Sequence, residues 1–376
     1  MKFDLAVVGG GICGLAHALA AGRLGKRVVV IDRDAQANGA SIRNFGFITV
    51  TGQQRGEGWH RALRSRDVWQ EVANAAGIEV LQRGLAMAVR RPEAVAVLEA
   101  FRATEMGEAC ELISASAACA RFPELRPAAA VLYSPHEIRV ESRTAIPRLA
   151  AWLGEAFGVT FLRQTAVHAV APPSIATSHG DVEADAAIVC PGDDFATLFP
   201  DRLAPYELTR CKLHMLRVAP PGGLRLPMAV MSDLGLVRYL GYSELAPAAA
   251  LKRRLEAEQP AHLANGVHLI VVQSADGSLV VGDSHHYAAT PDPFAPEAVD
   301  ALILDEFRAT LDIGEPEVVE RWTGTYASAP DRLALIERVS DTVRIVLITS
   351  GTGASTSFAI AEEVIGELYG RTGGTS

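Results

Sequence analysis

The stretch VVGGGICGLA, Val7 to Ala16, decides how the rest of the chain is read. It overlaps the end of a short apolar run, Phe3 to Val8, with the composition of a buried parallel strand. Gly9, Gly11 and Gly14 spell G-x-G-x-x-G, and Ile12 to Leu24 continues as an Ala/Leu-rich helix. A second buried strand, KRVVVID, closes on Asp32, with Arg33 beside it. The spacing gives each residue a task. Gly9 permits the tight turn, Gly11 lets a pyrophosphate approach the backbone, and Gly14 lets the helix pack close to the sheet. The helix N-terminus offers unpaired N–H groups and a positive dipole to the phosphates. Asp32 can accept hydrogen bonds from a ribose diol. Strand, loop, helix and acid in register mark a dinucleotide site, but they leave NAD and FAD both open.

Composition bounds the rest. A chain of 376 residues has the length of two or three domains. With 49% apolar and 21% charged residues it has material for an ordinary globular core. A net charge of -9 argues against a nucleic-acid partner and an anionic membrane surface. Five cysteines, Cys13, Cys110, Cys119, Cys190 and Cys211, form no C-x-x-C pair. That spacing predicts no zinc site and suits a reducing cytoplasm. The start of the chain lacks a signal-peptide pattern and no apolar run is long enough to span a bilayer. The expectation is a cytoplasmic protein without a membrane span.

After Asp32 the chain does not continue directly into a third βα unit. Residues Asn38 to Gln53 form a glycine- and polar-rich loop, the kind laid along a ligand. ESRTAIPRLAAWLGEAFGVTFL predicts a helix and a strand, TAVHAVAP a strand, and ADAAIVCPGDDF a buried strand ending in a Pro-Gly turn. VRIVLITSGTGASTSFAIAEEVIGELYG repeats the opening logic of strand, glycine loop and helix. Its helix N-terminus, at Ala354 to Phe358, would aim a dipole at a second part of the ligand.

These motifs resemble the D-amino-acid oxidase and glycine oxidase family of FAD enzymes over most of the chain. The resemblance implies FAD held at Gly9, Gly11, Gly14, Asp32 and Arg33, along Ala40, Ser41 and Gly46, and at Val167, Cys190 and Gly192. It assigns the closing segment to Gly351, Thr352, Gly353, Ala354 and Ser355. It implies an α/β fold, a Rossmann-like FAD domain from 1–80, 138–205 and 322–372, and a mostly antiparallel substrate domain from 81–137 and 206–321. SIRNFGFI, GDSHHY and RWTGTYAS further resemble a branch often encoded beside phosphonate-breakdown genes, whose members are similar to oxidases of aminoalkylphosphonates. The implied partners are a small anionic amine and an electron acceptor, oxygen or a quinone.

The substrate domain reads as strands IEVLQRGLAMAVR, AAVLYSP, YELTRCKLHMLRVA, LGLVRYLGY, GVHLIVVQS and SLVVGDSHHY around helices at Pro92–Met106, Ala115–Phe122 and 297–312. Amino-acid-oxidising members of the family carry an arginine, in G-L-R-P, that grips the substrate carboxylate. Here that segment is Gly324-Thr325-Tyr326-Ala327, and Tyr326 offers one uncharged donor instead. The anion must meet another cation. Arg43, beside Asn44, is the first candidate; its alternative role is a pyrophosphate or carbonyl contact. His285 and Tyr287 follow an apolar strand at its polar end. Arg238 and Tyr239 read as an alternating strand pair. Lys212 and His214 share one strand face that reads as solvated, and Trp322 reads as core. Adjacent histidines on a strand point to opposite faces. With no cysteine or carboxylate seen to complete a set, no metal is expected. The expected activity is oxidative cleavage of a C–N bond, foremost in 2-aminoethylphosphonate or its N-methyl form. Glycine, sarcosine or a D-amino acid is the alternative substrate, and a non-catalytic FAD-binding electron-transfer subunit the alternative of another class.

Overall fold

The computed structural model describes residues 2–370. Its first sheet is built around the opening motif. Five strands run parallel in the order Val343–Ile348, Gly180–Val189, Lys2–Val8, Val28–Ile31 and Thr160–Leu162. Ala334–Arg338 adds an antiparallel edge. Leu5, Val7, Val29 and Ile188 are fully enclosed, as expected of strands covered on both faces. Helices Ile12–Arg23, Ser142–Phe157 and Gly353–Leu368 pack around them.

The second sheet is mostly antiparallel, with one parallel pairing, Ala229–Ser232 on Val80–Val89. Thr209–Ala219 is its hub. One edge pairs Glu317–Ser328 along its length; the other pairs first His286–Ala288 and then Leu279–Gly282. Glu317–Ser328 runs across the expected boundary at residue 322, yet its ladder lies wholly in this sheet. The fold is thus mixed α/β, with the Rossmann-like sheet and the antiparallel sheet that the sequence predicts.

Two strand readings need correction. LGLVRYLGY is not a strand: Asp233–Val237 forms a 3-10 turn and Leu240–Ser243 one turn of α-helix. Leu236, Tyr239 and Tyr242 recur every third residue, a helical spacing that alternation obscured. An added Cβ on Gly241 would lie 2.4 Å from the Gln53 carbonyl oxygen, so this corner presses on the Asn38–Gln53 loop. SLVVGDSHHY is likewise two short strands, interrupted at Asp283–His285. Lys212, read as solvated, is buried: its Nζ lies 2.9 Å from Asp292 Oδ1 and donates to the Phe294 carbonyl.

The corner is held from below. Asp233 is fully enclosed and accepts from Arg91 Nη1 at 2.9 and 3.0 Å and from the Arg90 amide at 3.2 Å. Replacing Asp233 by alanine leaves Arg91 its contacts with Glu258 and Gln259 but removes its one fully buried partner and frees the Arg90 amide. The expected loss is about 3 kcal/mol of unfolding free energy, measured by urea denaturation. Substitutions in the glycine loop should separate packing from ligand access. A Cβ on Gly14 would sit 1.9 Å from the Gly9 carbonyl oxygen, and one on Gly11 would meet only Ser41 Oγ, at 2.9 Å. Gly14→Ala is therefore expected to lower the melting temperature. Gly11→Ala should leave it within a few degrees while weakening dinucleotide retention, read by absorbance after gel filtration.

Candidate active site

The two sheets enclose one elongated cavity of about 590 Å³. At one end lie Gly9, Gly11, Gly14, Asp32, Arg33 and Val167; at the other lie Arg238, Tyr239, His268, Asp283, His285 and Tyr326. Between them run Ala40, Ser41, Arg43 and Asn44 on one wall, with Cys190, Gly192 and Gly351 to Ser355 also lining the space. Of the residues expected to touch the cofactor, Gly46 alone is not in the lining. It turns the loop at φ +67°, where a Cβ would collide with the Val140 carbonyl.

The dinucleotide end is built from backbone. Gly9 adopts φ +106°, and a Cβ there would lie 2.4 Å from the Cys190 carbonyl oxygen. Asp32 Oδ2 accepts from the Gly10 amide at 2.5 Å and Oδ1 from the Asp34 amide at 2.8 Å, which fixes the acid at the mouth of the loop. Ser41 Oγ accepts from the Ile12 amide at 2.9 Å, tying the lining loop to the helix N-terminus. Asn44 spends its polar atoms on the same loop. Its Nδ2 donates to the Ala40 carbonyl at 2.7 Å, and its Oδ1 accepts from the Gly46 amide at 2.7 Å and from Ser142 Oγ at 2.8 Å. Asn44 is therefore a loop brace rather than a free catalytic group. The second glycine turn is closed by Tyr326, whose ring would lie 2.9 Å from any Cβ on Gly351. Both loops leave space only where side chains are missing, and two helix N-termini face it. This cradle fits FAD: the Gly9–Gly14 amides would hold its pyrophosphate, and Gly351–Ser355 would offer a second helix N-terminus to it.

The far end gathers the charged and titratable side chains. Arg43, the first candidate for the substrate anion, directs its guanidinium to Asn38 Oδ1 at 3.2 Å, and its carbonyl accepts from Trp322 Nε1 at 3.1 Å. Arg238 instead faces the cavity from the helical corner, half-buried among tyrosines, with Nη2 3.2 Å from the Tyr287 hydroxyl. Among the described residues no carboxylate forms a salt bridge with it. The ladder places Cys211 opposite both Tyr287 and Tyr326, so the tyrosines flank one strand position. Tyr287 is 53% exposed and stands at the rim, outside the lining. Lys212 and His214 point away, because Leu213 between them is the residue that faces the cavity.

His285 and His286 diverge as expected. His285 lines the cavity and His286 turns its Nε2 to Asn265 Oδ1 at 3.1 Å. The expectation of no carboxylate nearby is corrected. Asp283 shares a face with His285, and its backbone exchanges hydrogen bonds with that of His268, at 2.9 and 3.2 Å. His268 Nδ1 is 3.2 Å from Asp283 Oδ1, and His285 Nε2 is 3.8 Å from Asp283 Oδ2. His285 Nδ1 is 3.0 Å from the Gly266 carbonyl, and His268 Nε2 is 3.0 Å from the Tyr239 hydroxyl. Burial pushes the Asp283 carboxyl up to about 7, against the opposing pull of Arg238. Burial and then Arg238 hold both histidines well below the usual imidazole range. His268 gave no sequence signal, since its role depends on a cross-strand pairing. The D-x-H period of Asp283 and His285 was visible.

Solved structures carry the same fold. Glycine oxidase from Bacillus cereus ATCC 14579 superposes with a TM-score of 0.80 at 14% identity, covering 99% of this chain and 96% of that one. L-proline dehydrogenase from P. horikoshii gives 0.78 at 19%, covering 99% and 94%. L-alpha-glycerophosphate oxidase from Mycoplasma pneumoniae, with FAD bound, gives 0.74 at 15%, covering 98% and 95%. No curated protein sequence matches. The family model described as FAD dependent oxidoreductase spans residues 4–366, so the chain belongs to that family, DAO, and its cofactor is FAD.

Proposed function

We propose that this enzyme oxidises the C–N bond of a small amine that carries an anionic group, with Arg238 as the anion's partner. The observation that carries the reading is the position of that guanidinium. It lies at the cavity end facing Gly351–Ser355, with no acidic side chain in salt-bridge range among the described residues. A half-buried charge with no carboxylate in direct contact is costly, and a substrate anion lowers the cost. Tyr326, standing where the resemblance has the carboxylate-gripping arginine, lines the same cavity.

The substrate class we favour is an aminoalkylphosphonate. A phosphonate presents three oxygens to its site, against two for a carboxylate. A guanidinium fork together with the Tyr326 hydroxyl on the cavity lining supplies donors for three more readily than a flat bidentate grip does. FAD, when bound, supplies the two-electron acceptor for the hydride leaving the carbon next to nitrogen. The protein's part is to hold the anion at Arg238 so that this carbon lies over the open face of the cavity, and to keep the walls apolar. Water then hydrolyses the imine to a carbonyl product and a freed amine.

An anaerobic screen of the FAD-loaded protein tests the reading. 2-Aminoethylphosphonate or its N-methyl form is expected to bleach the flavin absorbance. Bleaching by glycine, sarcosine or D-alanine with indifference to every phosphonate would replace the substrate class; no bleaching by any amine would return the protein to a non-catalytic role. Arg238→Ala should raise the apparent KM for the anionic amine about 10- to 100-fold with FAD retained, the worth of one charged hydrogen bond. Arg43→Ala, at a half-buried side chain bound to Asn38, should change it less than about threefold.

A further inference from the structure

We propose that Asp283 is the proton acceptor for the substrate ammonium, with His268 and Tyr239 as the residues that position it. The inference rests on the amine reading above. A small amine reaches the enzyme mostly as an ammonium ion, whose nitrogen lone pair is occupied by a proton. Oxidation at the adjacent carbon needs that pair free. The cavity must therefore take up one proton per turnover before the hydride can leave.

The cluster around Asp283 is arranged for this. Asp283, His268 and His285 are all buried and all line the cavity. Asp283 Oδ1 and His268 Nδ1 stand 3.2 Å apart, and neither has a hydrogen-bond partner among the described residues. Two such orphaned atoms facing each other in an apolar wall have room for one proton between them. His268 is fixed from its other nitrogen by the Tyr239 hydroxyl at 3.0 Å, and His285 from Nδ1 by the Gly266 carbonyl at 3.0 Å. A carbonyl only accepts, so His285 keeps its proton on Nδ1 and presents a bare Nε2 to the carboxylate. The Asp283 and His268 backbones are paired reciprocally just beyond the ends of the strands Leu279–Gly282 and Ile270–Gln273, which ties the two residues to each other.

The charged and titratable groups around Asp283 leave it as the one that changes state near neutrality. Arg238 stays cationic. His268 and His285 are held neutral by burial, then by Arg238. Burial holds the Tyr239 and Tyr326 phenols above their usual range and pushes the Cys211 thiol up to about 11. His286, lowered by its own burial, faces Asn265, and Tyr287 lies on Arg238 at the rim. In the step, an N–H bond of the ammonium breaks and an O–H bond forms on Asp283. The electron pair stays on nitrogen, and no electrons pass to another group until the hydride leaves. Above the Asp283 pKa the carboxylate is present and the site is competent. As pH falls through about 7 the carboxyl is protonated and competence is lost.

The test is anaerobic flavin reduction of the FAD-loaded enzyme by the best amine of the screen, followed from about pH 5 to about pH 10. The wild type should show a limb rising through about pH 7 in reduction rate over binding constant. Asp283→Asn should lose about 100-fold or more at neutral pH and regain rate tenfold per pH unit as the amine's own ionisation takes over. It should still bind 2-aminoisobutyrate or (2-amino-2-methylpropyl)phosphonate, which lack the hydrogen to be removed, as read by a shift of the flavin spectrum. Asp283→Glu should keep neutral-pH rate within about tenfold but move the limb, and it carries the test if the asparagine variant fails to hold FAD. An asparagine variant with the wild-type profile, or a glutamate variant with an unmoved limb, overturns the proposal. So does a stoichiometric divalent metal in the purified enzyme whose removal by chelation abolishes reduction, since the same three side chains would then be its ligands. Failure of every amine to reduce the wild type instead overturns the amine reading, independently of Asp283.

Discussion

The structure depends on how closely the helix Ile12–Arg23 approaches the strand before it. The Gly9 carbonyl sits where any Cβ on Gly14 would have to be, and the Cys190 carbonyl occupies the space a Cβ on Gly9 would need. Three backbone segments thus meet without side chains between them. The contact brings the helix N-terminus, with its unpaired amides, to the mouth of the cavity. It also joins the first strand to Gly180–Val189, whose Cys190-Pro191-Gly192 turn lines the same space. Widening this junction by one methyl group would displace helix, turn and strand together. The packing of the sheet and the shape of the ligand channel are therefore one constraint.

A second consequence is that loops, not elements, complete the channel, and each loop is tied down from both sides. Ser41 is hydrogen-bonded to the first helix, Asn44 to Ser142, and the Thr49 amide to Ser355 Oγ at 2.9 Å. Glu137, fully buried, accepts from the Thr51 amide and hydroxyl at 2.9 and 2.8 Å. The segment Asn38–Gln53 has little regular structure, yet its polar groups are paired with three helices around the first sheet and with the second sheet. Such pairing makes a loop of this length a fixed wall.

What the sequence disclosed follows the range of the forces involved. The Rossmann-like half was legible because its signals are local: a glycine triplet, an acid one strand later, and apolar runs with a helix between. The expected strands Phe3–Val8 and VRIVLI stand as Lys2–Val8 and Val343–Ile348. The corner at 233–243 was not legible, because alternation and a three-residue period coincide over so few residues. What selects the helical form is contact with residues almost 200 positions away, at Thr51 to Gln53. Lys212 was misread for a similar reason: nothing within its strand shows that the segment around Asp292 folds back over it. His268 shows the limit most plainly. Its proposed role comes only from pairing its backbone with that of Asp283 beyond the ends of two strands.

Tyr326, where the resemblance places an arginine, then takes on a physical meaning. A cation on the strand Glu317–Ser328 would reach the cavity from the wall next to the Gly351 turn. Arg238 enters from the helical corner instead, beside the Asp283 cluster. In an apolar enclosure, a fixed positive charge near a carboxyl that ionises around neutrality is complementary to a zwitterion. A neutral amine gains nothing from Arg238, and a simple anion is repelled once Asp283 is ionised. Only a molecule bearing both charges satisfies both groups, and binding it aligns the carbon between them. In the proposed reading, an anion partner on the helical corner rather than at position 326 changes more than which anion is held. In that reading it sets the length of the molecule between its charged ends, and so which C–H bond would face the cofactor.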